Sequence, residues 1–586
     1  MASALVARVL VALVAGVLLA ACAARPFPLA SAHHPAANSP AASLTAREVV
    51  FGVDQLIGGF NPHTVADLTP VSAAIAGLLL PSPFHQSPTG QWVLDRTLLT
   101  SAEVTNTEPF TVTYRIRRDA QWSDITPIAA EDFGYLAEQM RTQPGVVDSA
   151  GYQLIDQVVS RDGGKTAEVV FLRPYAGWRT LFQHLLPEHL LKDAPGGWST
   201  ALDAGLPVSG GPFLMTSFDR SRGELVLERN DRYWDTPAWL DRIRLRLGSQ
   251  AALVEALGTG GMQGALFSRP NAITEALLRT ANLGVTPTVV PAPVLVSVLL
   301  RPAGEVLSDQ RVRTAVAALL DRPALIATGV ASGPAAALRA DSEVLAPSAP
   351  GYRSTAPATG VPVAPDPDTA RRLLTDAGYV RGPAGWERAG QPLRLVVAAA
   401  ANREPYGTLA TRVAEQLRGA GIDVELREVD PAELYGTLLG PGMGPGVDPG
   451  VDIAVLPQPA AGHPATELAS WFGCPLVVPA KLAPAPPNLA GFCDLDLQPM
   501  IERALTQDDP AGPVPAAVEA ALWARAVAIP LYQAASLLVT TSQLPGVVPG
   551  TPWEGPFDGA AHWRLARDTT RAPSRGTQPV TPGGLP

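Results

Sequence analysis

Eight histidines and three cysteines are the side chains of this 586-residue sequence best suited to nucleophilic or metal chemistry. Their spacing offers little of either. The histidines are His33, His34, His63, His85, His184, His189, His463 and His562. His184 and His189 stand five apart with Pro187 between them, so they share no helix face. No HExxH, CxxC or P-loop pattern occurs, and Gly205 to Gly210 does not spell the GxSxG elbow of a hydrolase. The residue types therefore name no catalytic set, no metal ligands and no cofactor. Binding, not catalysis, is the expectation. One short run does stand where ligands gather: Phe60, Asn61 and His63 follow the end of the first expected strand, in the turn Gly58-Gly59-Phe60-Asn61-Pro62-His63. The carboxyl ends of strands are where α/β sheets hold ligands. A plain structural turn is the other reading.

The cysteines divide by position. Cys22 follows Leu19-Ala20-Ala21 after an apolar run from Val9 to Leu19 with Arg8 as the only early charge. That run has signal-peptide length and is short for a membrane span. Small residues before a cysteine resemble a lipobox, which implies cleavage after residue 21 and a lipid anchor on Cys22. Several acyl chains on one residue hold a protein stably on a membrane. Residues 22–45, rich in Ala, Pro and Ser, are expected to form a lipidated tether, and residues 568–586 a disordered tail. Outside the membrane, the isolated pair Cys474 and Cys493 is most simply a disulfide. The proline-rich stretch between them has little regular structure of its own.

Composition narrows the partners. Net charge is −10, and only three lysines occur, Lys165, Lys192 and Lys481. No basic face is advertised, so nucleic acid is not an expected partner. Apolar residues make up 47% of the chain, enough for a large core.

The elements follow from periodicity. Glu48 to Gln55 reads as a first strand. Phe110 to Ile116 alternates apolar and polar, which predicts a half-buried strand. Ala130 to Met140 reads as a helix, and Thr166–Leu172 and Leu225–Arg229 as strands. In the second half, Val312, Ala315, Val316, Leu319 and Leu320 share one helix face behind Asp309. Residues 342–367 read as a loop. Asp368 is expected to cap a helix over Ala370–Ala377 that stops at Gly378. Strand Leu393–Val397, helix Tyr406–Ala420 and strand Ile422–Leu426 imply a right-handed crossover in a parallel sheet. Val451–Leu456 is a further apolar strand.

Four segments, in order, resemble the extracytoplasmic solute-binding proteins of ABC transporters, family 5. They are Gln121-Trp122-Ser123-Asp124 with Ala130-Glu131-Asp132-Phe133, Pro207 to Phe213, Leu227 to Trp234, and Asp309 to Arg313 followed by Asp321-Arg322. Two departures stand out: Ile125 where that family commonly has Gly, and Ala129 where it commonly has a capping Thr. Further segments resemble a mycobacterial-type lipoprotein subgroup associated with phosphatidylinositol mannoside and lipoarabinomannan assembly. These are Phe60 to His63, Thr105 to Tyr114, Gln143 to Asp148, and the surroundings of Cys474 and Cys493.

The resemblance implies an α/β, two-lobed, periplasmic-binding-protein-like fold of type II, with mixed sheets and a ligand cleft between the lobes. Lobe I, with an extra N-terminal subdomain, is expected over 46–290, lobe II over 291–527, and a return to lobe I over 528–567. Val289–Val298 and Val527–Val539 are the expected hinge strands. In that family the loop after the Val451–Leu456 strand faces the cleft, so Trp471 either lines it or packs in the core. Trp122, Tyr233 and Trp234 read as packing residues, and Arg311 and Arg313 as solvated or ion-paired. The implied function is that of a lipid-anchored protein on the outer face of the cell membrane that binds, or regulates access to, a mannolipid intermediate. A peptide receptor for an importer and an adaptor with a vestigial cleft are the alternatives. The corresponding partners are a glycolipid or a peptide, and a mannosyltransferase or an ABC permease.

Overall fold

The computed structural model describes residues 47–566, apart from 57, 282–286, 441–449, 461, 477–478, 480–481, 483–485, 487 and 508–511. Cys22, the signal segment, the tether and the tail lie outside the described residues. The described body begins at Arg47 and forms one compact unit.

Strands in chain order are β1 (Glu48–Val53), β2 (Phe84–Gln86), β3 (Trp92–Leu94), β4 (Leu99–Thr107), β5 (Phe110–Ile116), β6 (Ile155–Arg161) and β7 (Thr166–Phe171). Then follow β8 (Phe213–Asp219), β9 (Glu224–Arg229), β10 (Arg242–Leu247), β11 (Gly264–Phe267) and β12 (Thr288–Leu300). The last are β13 (Val380–Arg381), β14 (Trp386–Arg388), β15 (Gln391–Pro392), β16 (Arg394–Ala400), β17 (Asp423–Val429), β18 (Ile453–Pro459) and β19 (Ala528–Thr540). Ten of them form one mixed sheet in the order β17-β16-β18-β12-β19-β11-β1-β10-β9-β8.

The long strands β12 and β19 run antiparallel in the middle of that sheet. On one side β19 carries β11 and, through it, the parallel pairs of β1 with β11 and β10. On the other side β12 carries β18, and β18 runs parallel to β16, which runs parallel to β17. Each side folds its own helices over itself, giving the expected two-lobed α/β fold. One core gathers Phe51, Trp122, Phe133, Phe182 and Leu245; another gathers Val296, Leu325, Leu409, Val413 and Leu417. The register of β12 and β19 slips between Pro291 and Leu295. A bulge of this kind bends a strand. It falls where the chain passes from one lobe to the other.

The local expectations hold with corrections. β5 spans the predicted residues, yet Thr111 and Thr113 are buried as well, leaving Arg115 its one exposed side chain. The cause is its inner place between β4 and β7 in a four-stranded sheet, where the Thr113 hydroxyl meets that of Thr105 at 2.7 Å. The helix expected behind Asp368 is Pro367–Asp376, and its cap is Asp366, which accepts the Thr369 N–H at 2.9 Å. Pro367 suits the first helical position, since that N–H has no partner in any helix. Gly378 ends it at φ +87°. The strand expected at Val451–Leu456 lies at Ile453–Pro459.

At the first family segment, Ala129 offers no side-chain cap. Asp132 supplies the reciprocal bond, accepting the Ala129 N–H at 3.0 Å and also the Glu188 N–H at 2.9 Å. Trp122 Nε1 donates to the same carboxylate. Ile125 holds φ +76°, a left-handed geometry costly for a β-branched residue and free for the Gly it replaces.

Candidate functional site

Two spaces open between the lobes. The first is a chamber of about 100 Å³. The first lobe lends Pro62, His63, Ser72, Ala73, Met140, Asp148, Tyr152, Leu181, Gln183 and His184. Pro293 of β12, Pro459 at the end of β18, and Gly462, His463 and Thr466 at the head of helix Pro464–Phe472 complete it, with Trp553 from the returning chain.

The chamber is built by short polar ties beneath an apolar surface. His63 Nε2 donates to the His184 carbonyl at 3.0 Å, and the His63 ring stacks on Trp198 at 5.9 Å. The His184 N–H donates to Ser82 Oγ at 2.9 Å. Burial holds the His63 imidazole down to about 4 and that of His184 to about 3, so both are neutral at physiological pH. Burial also raises the Asp148 carboxyl to about 7, and its Oδ1 has no hydrogen-bond partner. Across the space, Tyr175 Oη and Thr466 Oγ1 lie 2.7 Å apart, and His463 Nδ1 stands 3.2 Å from Thr466 Oγ1. The lining includes neither Lys nor Arg.

The second space is an open cleft of about 560 Å³. It lies at the carboxyl ends of β1, β10 and β11, against Gly329–Ala335 and Asn402–Pro405 of the other lobe. Asp54 fixes its floor, accepting the Ser268 N–H and Gln250 Nε2 at 2.8 Å each. Arg269 and Glu404 face each other at 3.7 Å.

The lobes also touch directly. Arg403 Nη2 donates to the Ala66 carbonyl at 2.6 Å, while its Nη1 is buried without a partner. Elsewhere the Ala150 N–H donates to Ser470 Oγ at 3.0 Å and the Ala176 N–H to the Leu505 carbonyl at 2.9 Å. Arg173 pairs with Glu502 at 2.6 Å. Among the described residues no group of three or more His, Cys, Asp or Glu could hold a metal ion.

Of the residues singled out in the sequence, His63 lines the chamber. Phe60 and Asn61 do not: Phe60 packs edge-on against Phe218 at 5.2 Å, and Asn61 is buried, with Nδ2 donating to the Trp198 carbonyl at 3.2 Å. Trp471 is 3% exposed and packs with Leu434, Tyr435 and Phe472, beside a small space at the disulfide. Cys474 and Cys493 are bonded to each other. The sequence reading missed Tyr152, His463 and Thr466 in the chamber and Ser268 and Tyr532 in the cleft. Asp148 ends one of the segments that carried the resemblance, a signal for its place.

Comparison with known proteins then decides the family. Residues 96–442, more than half of the chain, match the model of the bacterial extracellular solute-binding proteins, family 5. The chain belongs to that family. A Mycobacterium tuberculosis relative named "Probable monoacyl phosphatidylinositol tetramannoside-binding protein LpqW" is 36% identical, covering 91% of this chain and 94% of its own. The oligopeptide-binding protein OppA of Mycobacterium bovis is 27% identical over 80% and 77%. Among solved structures, the oligopeptide-binding protein AppA of Bacillus subtilis, in complex with a nonapeptide, superposes with a TM-score of 0.69 at 16% identity, over 89% of this chain and 99% of that one. For a family 5 protein, a space enclosed by both lobes is where closure buries a solute.

Proposed function

We propose that this family 5 protein is a lipoprotein of the outer membrane face that holds a mannosylated phosphoinositide between its lobes. Cleavage after Ala21 leaves Cys22 to carry the lipid, and residues 22–45 tether the body. Lobe I then spans 46–290 and 528–567, lobe II spans 291–527, and β12 and β19 are the hinge. Among the described residues no helix is long and apolar enough to cross a membrane.

One observation carries the ligand class. The chamber has no Lys or Arg in its lining and two neutral imidazoles, with one carboxyl that titrates near neutrality. A peptide brings opposite charges at its two ends, and burying either without a partner is costly. A neutral part of such a lipid, a mannosyl or acyl group, has no such need, provided that its phosphodiester anion stays outside the chamber. The name of the mycobacterial tetramannoside-binding relative supports the same class.

The experiment is native mass spectrometry of residues 23–586, expressed in the native host and purified gently, with lipid extraction. A co-purifying phosphatidylinositol mannoside is the expected result. A bound peptide would restore the import reading, and an empty protein would favour an adaptor. For the anchor, Cys22→Ser is expected to move the full-length protein from the membrane fraction into the medium; persistence in the membrane would refute it.

A further inference from the structure

Both ends of the described body leave from one corner of the first lobe. Arg47, where the proposed tether arrives, sets its guanidinium 4.7 Å from the centre of the Trp239 ring. Arg564, two residues before the described chain ends, sets its own 3.9 Å from the same ring. Beside Arg564 lies a groove of about 770 Å³ whose lining shares no residue with the chamber or the cleft. We infer that this corner rests on the membrane: Arg564 meets the phosphates of anionic lipid headgroups, and the loop 545–552 enters the headgroup layer at Val548.

The loop supplies the apolar half of such a contact. Residues 545–552 carry no charged side chain, and Val548, which lines the groove, is 72% exposed. An apolar side chain left in water gains by entering the boundary between headgroups and acyl chains.

Arg564 supplies the polar half. It is exposed, lines the same groove and makes no ion pair among the described residues. Stacking on Trp239 holds its guanidinium in place, and a guanidinium matches a phosphate through two parallel hydrogen bonds. The acids nearby are largely spent, Asp241 on Arg47 and Arg229, and Glu554 on His85. Asp558 is the one acid in the groove lining, and burial together with the charge of Glu554 raises its carboxyl.

The chain ends supply the direction. Residues 22–46 hold one arginine and no acid, and residues 567–586 hold three arginines against one aspartate, in a chain of net charge −10. An anionic surface therefore repels the body and attracts the corner from which both ends leave. An acidic protein would answer Arg564 alone; a lipid layer answers the loop as well.

This inference rests on the proposed anchor only for where the tether leads. Binding is measured without the lipid, so failure of the anchor and failure of this face are seen separately. Residues 23–586, which lack Cys22, are sedimented with vesicles of phosphatidylcholine alone and of phosphatidylcholine mixed in equal parts with phosphatidylglycerol. Binding to the mixed vesicles and not to the neutral ones is expected. Salt at about 0.5 M should release it, because screening then acts within a few ångströms. Arg564→Gln should weaken binding about fivefold, the usual share of one basic side chain at an anionic surface. Val548→Asp should weaken it about tenfold, since it removes the apolar contact and adds a repelled charge. Asp558→Asn should strengthen it. Val380→Asp, on the small three-stranded sheet, should bind as the wild type does, and removal of residues 567–586 should weaken binding without abolishing it. No preference for the anionic vesicles overturns the inference. So does binding that is unchanged by Arg564→Gln and Val548→Asp but lost with residues 567–586, which assigns the contact to the chain end alone.

Discussion

The chamber and the cleft both lie between the lobes, and their linings are finished differently. On the chamber side most polar groups are spent on each other, Asp148 Oδ1 being the exception. His63 is tied to the His184 backbone, Tyr152 Oη accepts the Phe182 N–H, and Tyr175 and Thr466 pair across the lobes. What faces inward is mostly apolar. On the cleft side the backbone is fixed while two buried hydroxyls are left unpaired. Satisfied polar groups make a wall that discriminates by shape and dryness; unsatisfied ones make a wall that discriminates by hydrogen bonding. The same two lobes thus meet over two differently finished linings.

The strongest way to break this comparison is to pry the cleft apart. Gly333 of the second lobe approaches the first so closely that a Cβ would stand 2.0 Å from the Pro270 carbonyl oxygen. A backbone atom cannot turn aside as a side chain can. Gly333→Ala is expected to lose about 2–3 kcal/mol of stability, the upper part of the usual range for a single substitution. Thermal unfolding measures it. A loss below about 0.5 kcal/mol would mean that the lobes do not meet so tightly on the cleft side.

The chamber is broken by pH instead. The Asp148 carboxyl titrates at about 7 when folded, against about 3.9 in an unfolded chain. Between those values the folded protein holds a proton that the unfolded chain has lost. Stability from this group is therefore full below about pH 4 and falls as pH rises to 7, by at most about 1.4 kcal/mol per unit. His63 and His184, held near 4 and 3, act in the opposite sense, costing stability as pH falls below about 6.5. Asp148→Asn removes only the first effect. The stability of the variant relative to wild type should rise steadily from pH 5 to 7 and level off above. A difference that is flat with pH would show that this carboxyl is not buried as described.

How much of this was legible in the sequence follows from the range of the signal. Periodicity is local, so β5, the helix Gln310–Leu319 and the crossover through Tyr406–Gly419 could be read directly. The cap at Asp366 was missed by two residues because Pro367 and Asp368 are both good first-turn residues. His63 was singled out because ligands gather at strand ends, and it lines the chamber; its neighbours Phe60 and Asn61 are buried against Phe218 and the Trp198 carbonyl instead. Trp471 was placed by analogy, and a large apolar ring in an amphipathic helix finds the core first. Ser268 and Tyr532 gave no sequence signal. One follows β11 and the other sits inside β19, and only the pairing of those strands brings them to one space.

The smallest effect sharpens the comparison at the mouth of the cleft. Arg269 and Glu404 make the ion pair that spans it, at 3.7 Å, with side chains 40% and 49% exposed. An exposed pair at that distance gains little over two hydrated charges, typically 0–1 kcal/mol, and salt screens it further. Glu404→Gln should therefore change stability by less than about 0.5 kcal/mol at 0.15 M salt, by chemical denaturation. Closure on the chamber side rests on Tyr175 with Thr466 and on Ala176 with Leu505, where the bonds are sheltered from water. Tyr175→Phe should cost about 1 kcal/mol, the usual worth of one such bond, and speed amide exchange in the helix Pro464–Phe472. If Glu404→Gln proves the costlier of the two, the lobes are latched by charge at the open side and the chamber is held shut from the cleft.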